Sequence, residues 1–141
     1  MDEALKQILV VDDDKSQLLS VNAILKSEYD IISVTSGKGA LKCLSETVPS
    51  LVLLDVLMPE MDGFEVYGKI RALSSMKDVP IIFLTSVNAP EEIERALRIG
   101  AADYITKPYA SENFTNRIKN AISMYEYRKA GEPKRKSSAR P

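Results

Sequence analysis

Leu51-Val52-Leu53-Leu54 is an unbroken apolar run that ends in a carboxylate, Asp55, and this junction restricts the fold more than any other stretch of the chain. A short apolar run without alternation reads as a strand buried on both faces, the condition of strands in a parallel sheet. Asp55 stands where that strand ends. In open α/β sheets, chemistry gathers at the carboxyl ends of the strands. Alone, the junction favours a plain turn, because Asp is common where turns begin. The rest of the chain decides between the two.

Similar junctions recur. Ile8-Leu9-Val10-Val11 is a short apolar strand ending in Asp12-Asp13-Asp14. Asp14 and Gln17 have capping-box spacing for a helix start, and Leu18, Leu19, Val21, Ile24 and Leu25 recur at helical spacing up to about Ser27. Tyr29 to Val34 is rich in β-formers. A helix over Gly37 to about Glu46 shows Ala40, Leu41 and Leu44 on its apolar face, and Pro49-Ser50 breaks the chain before Leu51. Asp62 and Glu65 repeat the capping-box spacing ahead of a helix that carries Phe64, Val66, Tyr67 and Ile70 to about Leu73. Val79 to Leu84 is another buried strand, ending at Thr85-Ser86. Pro90 suits the first turn of a helix whose positive end welcomes Glu91 and Glu92, and Gly100 suits its C-cap. Ala102 to Thr106 is a short strand followed by Lys107-Pro108. The last helix is expected from about Ser111 to Tyr127. Five strands, each followed by a helix, imply a parallel sheet with helices on both faces and right-handed crossovers.

A chain of 141 residues suits one such domain with a real core. The formal charge of −1 gives no overall pull toward nucleic acid or membrane. It hides an asymmetry. Residues 126–141 hold six Lys/Arg against two Glu, which leaves the remainder at −5. From Ala130 the chain has Gly, Pro, Ser and charge without an apolar period. Residues 1–127 are therefore expected to form the domain, and 128–141 a basic disordered tail or linker without nucleic-acid binding of its own. Cys43 is the one cysteine, so an internal disulfide and a cysteine metal cluster are excluded; beside Ala40, Leu41 and Leu44 it reads as a buried, inert thiol. No signal peptide and no membrane-length apolar run is present, so the expected location is the cytoplasm. The absence of histidine removes the commonest general base and metal ligand, and with it any role as a phosphohistidine donor.

Four strand ends now carry polar residues that a core does not want: Asp12-Asp13, Asp55, Thr85 and Lys107. In a parallel sheet these ends share one side. Carboxylates brought that close repel one another unless a cation joins them. Oxygen donors without His or Cys suit Mg²⁺ or Mn²⁺ rather than zinc. A metal, a lysine and a hydroxyl around a further carboxylate make a phosphoryl-transfer site, with Asp55 as nucleophile. Each piece alone has a plainer explanation: an Asp pair caps a helix, Lys-Pro is a turn, a strand-end Thr is structural. Their joint occurrence, in order, favours the functional reading.

Val11-Asp12-Asp13-Asp14, Asp55-Val56-Leu57-Met58-Pro59 with Met61-Asp62-Gly63, Thr85-Ser86, and Gly100-Ala101-Ala102-Asp103-Tyr104 leading into Lys107-Pro108 resemble the receiver domain of bacterial two-component response regulators, of the chemotaxis-regulator kind. The resemblance covers roughly residues 6 to 125. It implies a flavodoxin-like, doubly wound (βα)5 fold with strand order 2-1-3-4-5. It implies that Asp55 accepts a phosphoryl group from a sensor histidine kinase or phosphotransfer protein. By the same resemblance Asp13 binds Mg²⁺ directly, Asp12 binds it through water, and the Leu57 carbonyl is a further ligand. Thr85 and Lys107 hold the phosphoryl group, Tyr104 is the switch aromatic, and Pro108 follows Lys107 in a cis peptide. For Tyr104, packing at a strand edge explains the residue as well as a switch does.

The chain departs from the family pattern in three places. Ala102 stands where the DNA-binding subfamily that dimerises through helix 4, strand 5 and helix 5 has an acidic residue, which weakens that mode of homodimer formation on phosphorylation. Leu57 and Val87 stand where fast self-dephosphorylating members carry polar groups, so slow phosphate loss is expected. Three functions compete for this set of residues: a phosphorylation-switched signalling module acting on an output domain or partner, a phosphohydrolase, and a binding module that has lost the chemistry. The hydrolase needs an acid/base Asp where Leu57 stands, and the complete set Asp12, Asp13, Asp55, Thr85 and Lys107 argues against lost chemistry. The expected role is therefore a phosphoacceptor that catalyses only its own phosphorylation and dephosphorylation. Ser36-Gly37-Lys38-Gly39 lacks the spacing of a P-loop.

Overall fold

In the computed structural model, which describes residues 4–139 and side chains from 4 to 131, the strands are β1 (Lys6–Val11), β2 (Tyr29–Val34), β3 (Leu51–Leu54), β4 (Ile81–Thr85) and β5 (Asp103–Thr106). All pair in parallel, in the order β2-β1-β3-β4-β5. The helices between and after them are α1 (Lys15–Leu25), α2 (Gly37–Leu44), α3 (Gly63–Arg71), α4 (Pro90–Arg98) and α5 (Ser111–Ala139). This is the doubly wound flavodoxin-like arrangement expected from the sequence.

Alternation along β3 divides the core. Val52 and Leu54 face one cluster with Ala40 and Leu44 of α2, Phe64, Val66 and Ile70 of α3, and Ala96 of α4. Leu51 and Leu53 face the other, with Leu18, Val21 and Leu25 of α1 and Phe114, Ile118 and Ile122 of α5. All four β3 residues are buried, because helices cover both faces of the sheet.

Local chemistry sets the helix starts. Ser36 accepts from the Gly39 amide at 3.0 Å, and Asp62 accepts from the Glu65 amide at 2.9 Å; each satisfies one free donor of a first turn. Asp14 also caps, but on Ser16, whose amide and hydroxyl donate to it at 2.9 and 2.7 Å. The Gln17 amide instead reaches the Asp14 carbonyl, at 3.0 Å, so no Asp14–Gln17 side-chain box forms. Pro90 opens α4. Gly100, at φ 109°, ends it in a backbone conformation that side-chain-bearing residues avoid.

Several ends move. β4 begins at Ile81 rather than Val79: Pro80 has no amide to give, and the Val79 carbonyl is taken by Arg71 at 2.7 Å. α1 stops at Leu25, α2 at Leu44 and α3 at Arg71, each slightly early. α5 passes the expected end at Tyr127 and continues to Ala139. Arg128, Lys129 and Ala130 are good helix formers, and extending an existing helix lacks the cost of starting one, but Gly131 and Pro133 are poor ones and propensity does not explain the helix beyond Ala130. Cys43 is half-buried rather than buried, though it packs against the core and burial raises its pKa. Among the described residues no helix is long and apolar enough to cross a membrane.

Candidate phosphoacceptor site

Strand register brings the site together. Val11 lies beside Leu54 in the sheet, so the next residues, Asp12 and Asp55, leave adjacent strands side by side. The backbone continues the ladder past both: Asp55 donates to the Val11 carbonyl at 3.0 Å and Asp12 to the Val34 carbonyl at 3.1 Å. Thr85 pairs with Thr106 at the end of β4 and β5, and the Lys107 amide donates to the Thr85 carbonyl at 2.9 Å. Asp12, Asp55 and Lys107 thus line one cleft of about 630 Å³, to which β4 adds Ser86, while Thr85 is fully buried and reaches the Asp55 carboxylate with its hydroxyl. The backbone behind Asp55 is pinned by Gly63, whose amide donates to the Val56 carbonyl at 2.8 Å. A Cβ at Gly63 would run into the Asp55 carbonyl and the Val56 backbone, so the start of α3 can lie against this loop only with glycine there.

Among the described residues, Asp12, Asp55 and Thr85 are the buried polar ones, at 4%, 7% and 0% exposure. Lys107 answers them, with its ammonium 2.9 Å from Asp12 and 3.9 Å from Asp55. Burial pushes the Asp55 carboxyl above its usual range. The Thr85 hydroxyl and the Lys107 charge oppose that shift, and the Asp12 charge adds to it. The Leu57 amide also donates to Asp55, at 3.3 Å. One lysine among the four carboxylates that line the cleft, Asp12, Asp13, Asp14 and Asp55, leaves it short of positive charge.

Asp12, Asp13 and Asp55 each offer one oxygen, all within 4.8 Å of one another. Asp13 is exposed, while the other two lie deeper. Close carboxylate oxygens with no nitrogen or sulfur donor fit a hard divalent cation. Leu57 stands at the rim, its side chain 57% exposed. The Lys107–Pro108 peptide is cis.

Tyr104 is buried against Phe83, ring centroids 6.0 Å apart, and its hydroxyl donates to the Val87 carbonyl at 2.7 Å. The Val87 amide donates to the Thr85 hydroxyl at 3.3 Å. Thr85 and Tyr104 therefore meet through the two ends of one residue.

Ser20 and Tyr109 also line the cleft and were not singled out from sequence, and Gln17, expected only as part of a helix-start box, lines it too. Gln17 lies one helical turn beyond Asp13 and Asp14, and that spacing was the available signal. Tyr109 stacks on Phe114 at 4.4 Å. Its position two residues after Lys107 was visible, but its stacking partner on α5 was not.

The sequence profile of the response regulator receiver domain matches residues 8–119. A histidine kinase of Formosa agariphila is 37% identical over 115 residues, which are 82% of this chain and 8% of that protein. The alkaline phosphatase synthesis transcriptional regulatory protein PhoP of Bacillus subtilis is 39% identical over 123 residues, 86% of this chain and 50% of that one. The chain thus spans half or less of these two relatives. The crystal structure of a CheY-like response regulator receiver domain protein from Methanospirillum hungatei superposes with a TM-score of 0.81 at 30% identity, covering 88% of this chain and 98% of that one. With a family profile that runs from β1 into α5 and a fold shared with a solved receiver, the chain belongs to the response regulator receiver domain family.

Proposed function

We propose that the chain is a phosphorylation-switched module in which Asp55 takes a phosphoryl group from the phosphohistidine of a sensor histidine kinase or phosphotransfer protein. The observation that carries the proposal is a buried carboxylate at the end of β3 with Lys107, Thr85 and two further carboxylates around it. An Asp55 oxygen attacks phosphorus in line with the phosphorus–nitrogen bond. That bond breaks, its electron pair returns to the imidazole, and Asp55 becomes an acyl phosphate. The Lys107 ammonium and the Thr85 hydroxyl then face the phosphoryl oxygens and offset their charge. Asp12, Asp13, Asp55 and the Leu57 carbonyl would hold Mg²⁺ or Mn²⁺, which supplies further positive charge at those oxygens.

Lys107 has a second task before transfer. Its bond to Asp12 keeps the two buried carboxylates from repelling each other while the cleft is empty of substrate. After transfer, Thr85 turning toward the phosphoryl group gives up its bond with the Val87 amide. Val87 is the anchor of the Tyr104 hydroxyl, so the change passes to the face of α4, β5 and α5. That face would act on an output domain or on a separate partner.

The deciding measurement is phosphate uptake from acetyl phosphate in the presence and absence of Mg²⁺, read by intact-protein mass. Uptake should require Mg²⁺ and disappear in Asp55→Asn. Uptake that survives that substitution would refute the assignment. A second expected outcome concerns lifetime. Leu57 and Val87 cannot orient an attacking water, so the acyl phosphate should persist for minutes or longer. Leu57→Asn should shorten it, and a wild-type lifetime of seconds would exclude this role for the two apolar residues.

A further inference from the structure

A second cleft, of about 520 Å³, opens at the amino end of the sheet, among residues that precede β4 and β5. Its walls come from Tyr67 and Arg71 of α3, Lys77 and Pro80 before β4, Ile99 after α4, and Arg128 of α5. Among the described residues, Asp78 is its one acidic lining residue against three cations. Residues outside 126–141 sum to −5, yet Arg71 and Lys77 from that part line the cleft together with Arg128 from the basic segment. Among the described residues no carboxylate pairs with Arg71, Lys77 or Arg128.

Arg71 is held rather than free. Its Nη1 donates to the carbonyls of Met76 and Val79, both at 2.7 Å, and its Nε to the Tyr67 hydroxyl at 3.2 Å. The guanidinium carbon lies 5.0 Å from the Tyr67 ring centroid. Nη2 has no acceptor among the described residues. A guanidinium whose Nε and Nη1 are fixed, with Nη2 still to be satisfied, is preorganised for an oxyanion. Beside it, Ile99 and Met124 are 43% and 57% exposed, so the cleft offers apolar surface next to its charge. Its volume falls in the range of small-molecule sites, about 300–1,000 Å³.

We propose that this cleft binds a small organic anion, a phosphate or carboxylate group on an apolar or planar body no larger than a mononucleotide. The anionic group meets Arg71 Nη2, with Lys77 and Arg128 adding charge, and the body lies against Ile99 and Met124. The site is independent of Asp55, so it stands or falls without the phosphoacceptor assignment.

The test is an amide NMR titration of the whole chain in Mg²⁺-free buffer with phenyl phosphate, benzoate and inorganic phosphate. Saturable shifts at Lys77, Gly100 and Ala102 are expected with phenyl phosphate, benzoate or both, which separates phosphate from carboxylate as the preferred group. Inorganic phosphate, lacking the body, should bind about tenfold more weakly. Lys77→Glu with Arg128→Glu, both exposed and so safe for folding, should weaken binding about tenfold or more; Arg71 is left intact because it holds the loop. Shifts that fail to saturate, that are equal for all three anions, or that survive the charge reversal would overturn the proposal. So would saturable binding of a hexaglutamate peptide with no response to the small anions, which would make the cleft a protein-docking surface instead.

Discussion

At the carboxyl end of the sheet Lys107 is surrounded by carboxylates; at the amino end Arg71 is surrounded by carbonyls and a phenol. Lys107 contacts Asp12 at 2.9 Å and Asp55 at 3.9 Å. Arg71 spends its fixed donors on Met76, Val79 and Tyr67. Both cations tie loops that would otherwise be loose. They differ in what remains once the tie is made. Around Lys107 negative charge is left over, and a second cation is the natural complement. Around Arg71 the partners are neutral, and positive charge is left over. One sheet thus carries two sites of opposite demand, with an apolar core between them.

Arg71→Met should show the larger stability effect of the two. It keeps most of the stem but leaves two carbonyls without their donor and removes the contact with the Tyr67 ring. The expected loss is about 2–3 kcal/mol, seen in urea denaturation. Added Mg²⁺ should not restore it, because no carboxylate cluster is involved. Stability unchanged by this substitution would remove Arg71 from the comparison.

Lys107→Ala should cost about 2 kcal/mol in metal-free buffer, discounted from a fully buried pair because the cleft is open to solvent. Here Mg²⁺ should recover much of the loss, since a divalent ion at Asp12, Asp13 and Asp55 takes over the neutralisation. Equal losses with and without Mg²⁺ would show that unrelieved carboxylate repulsion is not what the substitution costs. Phosphate uptake should fall as well, because a cation facing the phosphoryl oxygens is gone.

These two ends were not equally legible in the sequence. Asp12, Asp55 and Thr85 follow directly on apolar runs, Asp13 and Lys107 stand one residue further on, and parallel pairing must bring strand ends together. The capping signals at Asp62 and the stop at Gly100 were readable for the same local reason. Arg71 gave no such signal. It sits near the end of a helix, where a cation usually faces solvent, and its carbonyl partners Met76 and Val79 become visible only once the loop before β4 has folded back. The displaced start of β4 has the same origin. Tyr104 was open between packing and switching. Its hydroxyl bond to Val87 shows that it packs inward, and a backbone carbonyl as partner cannot be read from residue types.

The backbone repeats the contrast on a smaller scale. At the amino end the left-handed position is filled by glycine, Gly100 at φ 109°. At the carboxyl end it is filled by Glu60, at φ 71°, in the loop that carries Leu57 to α3. Gly100→Ala should therefore destabilise by about 1–2 kcal/mol, since the conformation disfavours any Cβ and this one would sit 3.1 Å from the Tyr67 hydroxyl. Glu60→Asn should act the other way, stabilising by about 0.5 kcal/mol, because Asn tolerates left-handed backbone better than Glu. Paired thermal melts would read both. If Glu60→Asn leaves the melting temperature unchanged, the Pro59–Asp62 loop holds its shape through the Met61 amide bond to the Pro59 carbonyl, at 2.7 Å, and through the Asp62 cap. Residue 60 would then adopt whatever φ those anchors impose at no measurable cost, and the contrast between the two ends would lie in charge alone.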